Sequence, residues 1–147
     1  MSPTLTIDQR IDVPRRFMAE VFNGHDPERA RDFFTPDARW HGPSIAEVTG
    51  VDSIVGLLGA FIGALSNIRA EEQDAIASSD LVALRLVVTA TQTGDLLGIP
   101  ASGREVRWDA VDIYRVTDDG KISEQWAFED MAAIGSQLGA FSLPWAN

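Results

Sequence analysis

The stretch Arg104–Asp130, REVRWDAVDIYRVTDDGKISEQWAFED, reads as two long strands around a tight turn. Before the turn, Val106, Trp108, Ala110, Asp112, Tyr114 and Val116 alternate with Arg107, Asp109, Val111, Ile113 and Arg115. After it, Ile122, Glu124, Trp126 and Phe128 alternate with Ser123, Gln125, Ala127 and Glu129. Successive strand residues point to opposite faces of a sheet. Asp118-Asp119-Gly120 contains the Asp-Gly pair of a type I′ turn, in which both central residues take positive φ. Asp112 therefore shares a face with Trp108 and Tyr114. A carboxylate among apolar neighbours is either paired or chemically useful.

Upstream of the hairpin the period stays at two. Arg69–Ala77 and Leu81–Thr93 read as strands around the turn Ser78-Ser79-Asp80, and Gly94–Gly103 is a Gly- and Pro-rich connection. Further back the period changes to that of a helix. Gly50–Ser66 carries a wide apolar stripe of Val51, Ile54, Val55, Leu58, Phe61, Ile62 and Leu65. Its Gly56, Gly59 and Gly63 are spaced for close approach by another element. Asp12–Asn23 has Phe17/Val21 and Met18/Phe22 on one face, and Pro14 places its start near Asp12. Asp26-Pro27-Glu28 starts a short helix that buries Ala30, Phe33 and Phe34 and stops at Thr35-Pro36. Residues 1–10 read as a loose arm, and Ala38–Pro43 as a short strand running into a turn. Asp130 caps a last helix, Met131–Leu138, which Gly139 ends. The tail FSLPWAN offers two aromatics to close a pocket or meet a neighbour. Helices laid on one face of a curved antiparallel sheet make an α+β fold with a pocket between the layers.

Composition sets further bounds. At 147 residues the chain suits one domain, 1–147, with its own core. A net charge of −10 argues against nucleic acid or an anionic membrane as partner. There is no cysteine and there are two histidines, so thiolate chemistry is excluded and a metal site is not expected. The first residues lack the order of a signal peptide and no apolar run approaches a membrane span, which points to the cytoplasm.

The order of elements, the phrase TQTGDLLGIPASGREV and the run VDIYRVTDDGKISEQW followed by Asp and QLG resemble the SnoaL-like polyketide cyclases, or ester cyclases. The resemblance implies the NTF2-like cone, a cofactor-free enzyme, and a homodimer packed through the outer sheet face. It also implies intramolecular aldol chemistry on a polyketide-like small molecule, with a general base and donors that steady an enolate. The family motif has a His midway along the penultimate strand and an Asp near the end of the last. Asp112 stands at the first position, Ala127 at the second, and Gln92 replaces the His of a Thr-His-x-Gly phrase.

Asp112 is the candidate acid/base, its pKa raised by apolar flanks; the competing reading pairs it with Arg85, Arg107 or Arg115. On this reading Asp112→Asn abolishes turnover. His41, beside Trp40, is the histidine placed to polarise a carbonyl, unless it merely bonds the backbone of its loop. Gln92 is a candidate carbonyl contact or a strand-end amide satisfied by the following loop. Trp40, Trp108, Tyr114, Trp126 and Phe128 supply candidates for an aromatic wall, against a core role. Asp130 matches the family's Asp after the last strand, a candidate substrate contact, but the helix-cap reading is favoured. Two rival functions remain: a hydroxylase-type or epoxide-opening relative, for which a carboxylate pair such as Asp112 with Asp130 would activate water, and a non-catalytic small-molecule binder.

Overall fold

The computed structural model describes residues 4–146. Strands β1 (Phe34–Gly42), β2 (Ala46–Thr49), β3 (Leu65–Ser78), β4 (Leu81–Gln92), β5 (Glu105–Val116) and β6 (Ile122–Glu129) form one curved, unclosed sheet in the order β2-β1-β6-β5-β4-β3. All neighbours are antiparallel except β1 and β6. The hairpin of β5 and β6 thus lies at the centre. Helices α1 (Ile7–Phe17) and α2 (Val51–Ala64) pack on the inner face, and α3 (Met131–Gln137) follows β6.

The inner row of β5, Val106 to Val116 in steps of two, is buried throughout, while Arg107, Asp109 and Val111 on its other face are exposed. The hairpin turn is not type I′, which would need two residues of positive φ. Of its three residues only Gly120 has positive φ, at 81°. Gly120 N–H donates to Thr117 O at 3.0 Å and Thr117 N–H to Lys121 O at 2.7 Å. Such a three-residue loop with a left-handed glycine at its end lets Asp118 and Asp119 keep negative φ.

Helix α1 starts five residues before Asp12. Thr6 and Gln9 form a reciprocal capping box, with Gln9 N–H on Thr6 Oγ1 at 3.1 Å and Thr6 N–H on Gln9 Oε1 at 2.9 Å. That cap outweighs Pro14, which sits inside the helix. The loose arm therefore ends before Thr6, and its residues 1–3 lie outside the described residues. After Phe17 the helix widens into a π-turn, Met18–Phe22, with Asn23 N–H bonded to Met18 O. The segment after Asp26 is a 3₁₀ turn, Pro27–Asp32, and Phe34 already belongs to β1. Thr35-Pro36 does not end an element, because Pro36 sits near the start of β1, where a missing N–H is tolerated. Strand β2 has no counterpart in the sequence reading; at four residues it is too short to show a period.

The core is the inner face. Phe17 meets Phe33, Phe34 and Tyr114 edge to face, with centroids 6.0, 5.2 and 6.0 Å apart. The three α2 glycines are not contact points. A Cβ on Gly56 or Gly63 would meet nothing within 4 Å, and one on Gly59 would make ordinary contact with Pro27 at 3.8 Å. The tail leaves the cavity uncovered: Phe141 lies against Gly135, and Trp145 is 78% exposed.

Candidate functional site

A narrow, mostly apolar cavity of about 30 Å³ lies between the helices and the sheet. The π-turn region contributes Phe17, Met18 and Phe22, and α2 contributes Leu57, Leu58 and Phe61. The sheet supplies the polar end: Trp40 from β1, Asp112 from β5, and Gln125 and Glu129 from β6. Strand pairing brings these together. Trp40 lies beside Gln125, Gln125 opposite Tyr114, Ala127 opposite Asp112 and Glu129 opposite Ala110.

Three buried polar atoms here have no hydrogen-bond partner among the described residues: Trp40 Nε1, Asp112 Oδ1 and Gln125 Oε1. Each such atom costs about 1–3 kcal/mol, so three in one cavity mark a place built for something other than stability. The Tyr114 hydroxyl donates to Asp112 Oδ2 at 3.1 Å. Burial pushes the Asp112 carboxyl well above its ordinary range; the Glu129 charge adds to this and the Tyr114 hydrogen bond opposes it. Burial also raises Glu129, against the hydrogen bond that Trp108 Nε1–H donates to its Oε2. The same surroundings push the Tyr114 phenol well up, so it stays a donor. No Arg, Lys or His lines the cavity, and neither carboxyl forms an ion pair among the described residues.

Asp112 and Trp40 line the cavity, with Tyr114 and Trp108 directly behind its two carboxyls. The other sequence candidates lie elsewhere. His41 follows Trp40 and so points to the opposite face of β1. There it is held between Glu47 and Glu124 (Nε2 to Oε2 2.6 Å) and stacks on Trp126 at 5.4 Å. The hydrogen bond to Glu124 is the main reason its pKa is raised. Trp126 and Phe128 share that outer face, because Gln125, Ala127 and Glu129 take the inner one. Gln92 is fully buried but satisfied by its loop, donating to Ile99 O at 3.0 Å and accepting from Ser102 Oγ at 2.6 Å. Asp130 is exposed and caps α3, accepting from Ala133 N–H at 3.0 Å. The acidic partner of Asp112 is therefore Glu129, not Asp130. Sequence reading overlooked Gln125 and Glu129 because it favoured the aromatic face of β6; the signal was that they share a strand face with Ala127. Among the described residues no cluster of three His, Asp or Glu side chains suits a metal, and no helix is long and apolar enough to cross a membrane.

An α+β cone with an apolar cavity ending in carboxyls defines a small-molecule site. The family model for SnoaL-like polyketide cyclase matches residues 12–138, and the chain belongs to that family. Its fold is NTF2-like. AclR from Streptomyces galilaeus, named as a candidate hydroxylase, is similar at 28% identity and TM-score 0.81, over 93% of this chain and 100% of that one. IdmH from Streptomyces antibioticus, named as a candidate polyketide cyclase, is 27% identical with TM-score 0.76, over 89% and 99%. A candidate SnoaL-like polyketide cyclase from Jannaschia sp. CCS1 shares the fold at 21% identity and TM-score 0.83, over 92% and 94%. A comparison with curated proteins finds no significant match.

Proposed function

We propose that the protein is a cytoplasmic, cofactor-independent polyketide cyclase-like enzyme. It performs intramolecular aldol condensation, or a related proton transfer, on a β-carbonyl compound of polycyclic or aromatic type. The observation that carries this reading is that three residues lining one apolar cavity, Trp40, Asp112 and Gln125, each hold a buried polar atom with no partner among the described residues. Apolar walls hold the carbon skeleton. Asp112 is the acid/base centre, its carboxyl pKa raised by burial and by the Glu129 charge. The Trp40 N–H is a donor for a carbonyl oxygen that becomes an enolate, and Gln125 Oε1 is an acceptor for a substrate hydroxyl. Asp112→Leu keeps the volume and removes the proton. Incubated with β-polyketones and followed by mass spectrometry, the native protein should yield cyclised product and the variant none. Undiminished turnover by the variant, or binding without turnover by the native protein, would overturn the reading.

A second reading, a hydroxylase-type or epoxide-opening relative, is favoured by the second cavity carboxyl, Glu129, and by the likeness to AclR. It predicts oxygen from labelled water in the product of epoxide opening, where the aldol reading predicts none.

The outer sheet face suits a homodimer. Strand pairing aligns Ile76, Ala83, Ile113 and Trp126 across β3–β6, with Val111 and Phe128 as the next pair. Of these, Ile76, Val111 and Phe128 are exposed in the single chain.

A further inference from the structure

The two cavity carboxyls sit in unlike places. Asp112 is enclosed, at 4% exposure. Its Oδ2 takes the Tyr114 hydroxyl, Tyr114 is braced edge-on by Phe17, and Oδ1 has no partner. Glu129 is the last residue of β6 and half-buried. It lies diagonally across from Asp112 on the same face, since it pairs with Ala110. Trp108 Nε1–H holds its Oε2, and its Oε1 accepts no hydrogen bond among the described residues. The groups facing the pair from the helices, Phe17, Met18, Phe22, Leu57, Leu58 and Phe61, are all uncharged. No cation among the described residues lines the cavity, so two carboxyls on one strand face favour sharing a proton over carrying two charges. The more deeply buried group keeps it. The less buried Glu129, steadied by an indole N–H, carries the charge.

We propose that Glu129 is the base that removes a proton from carbon, while protonated Asp112 is the acid whose Oδ1–H holds the substrate's oxygen. This division rests on the acid/base reading of the cavity and changes the role that sequence assigns to Asp112. The C–H bond breaks and its proton passes to Glu129 Oε1. Its electron pair becomes the C=C bond of an enolate, and the carbonyl π pair moves to oxygen. Asp112 Oδ1–H and Trp40 Nε1–H hold that oxygen. In the aldol step the enolate carbon bonds a second carbonyl carbon of the same molecule. The oxygen freed there takes the proton from Glu129. Substrate and product are isomers, and no further reagent enters. The substrate class is a ketone whose acidic C–H lies next to the carbonyl that enters the cavity.

The test uses 2-tetralone, a bicyclic aromatic ketone, and follows exchange of its α-protons in D₂O by proton NMR. Glu129→Gln should slow enzymatic exchange by about 100-fold or more, the usual loss for a general base. Asp112→Asn retains an N–H donor and should lose about tenfold or less. Equal losses, or a larger loss from Asp112→Asn, would overturn the division while leaving the acid/base reading intact. No acceleration by the native protein would overturn both. Carbon-13 labelling of the aspartate carboxyls gives a readout apart from exchange. At neutral pH the Asp112 signal should sit at its protonated position in the native protein, whether or not Glu129→Gln folds well. An ionised Asp112 signal would overturn the proposal.

Discussion

Asp112 and Gln92 are both buried polar residues on inner strand faces, yet their surroundings separate them. Gln92 has a loop folded over it that supplies an acceptor and a donor. Asp112 accepts one hydroxyl at Oδ2, while its buried Oδ1 accepts no hydrogen bond among the described residues. A raised native pKa has a consequence for stability. The unfolded carboxyl titrates near about 3.9, so between there and its higher native pKa the folded state binds the extra proton. The group's contribution is fully present below the unfolded pKa and is lost as pH rises through the native one. Asn cannot titrate. The melting temperature of Asp112→Asn minus that of the native protein should therefore become more positive from about pH 4 to about pH 8. A difference that stays flat or falls, measured by thermal unfolding across that range, would show that Asp112 is not held protonated by its site.

At the scale of elements, strand alternation was legible and its phase against the neighbours was not. Asp112 could be placed on the buried row of β5 from its own neighbours. In β6 the choice between the Trp126/Phe128 row and the Gln125/Glu129 row depends on pairing with β5 and β1. A register irregularity between Arg115 and Val116 intervenes, which no local pattern announces. The same holds for β1, where Trp40 faces the cavity and His41 the outside because Trp40 pairs with Gln125. The α2 glycines soften a helix that forms one wall of the site. With open space at Gly56 and Gly63, the double change Gly56→Ala/Gly63→Ala should stabilise the protein by about 1–2 kcal/mol in urea unfolding. A loss of stability would mean that α2 needs those glycines for a contact after all.

For the molecule as a whole, the two faces of the sheet have different tasks. The inner face binds helices and holds the cavity. The outer face carries the row from Ile76 to Trp126 and the Val111–Phe128 pair, flanked by His41, Glu124 and Arg115, with the Arg115 guanidinium 5.7 Å over the Trp126 ring. Phe128→Glu should shift the protein from dimer to monomer in sedimentation equilibrium without touching the cavity. A native monomer at micromolar concentration would remove the dimer proposal. Sequence by itself determined the three α-helices and the long strands, the central hairpin, the buried row holding Asp112 and the cap at Asp130, because period, turn chemistry and capping act between residues a few positions apart. It also carried the family likeness. Only the tertiary structure decided that Gln125 and Glu129 join Asp112 and Trp40, and that His41 and Trp126 turn outward. Those placements follow from cross-strand register, which brings together residues up to 89 positions apart and leaves no trace in either segment alone.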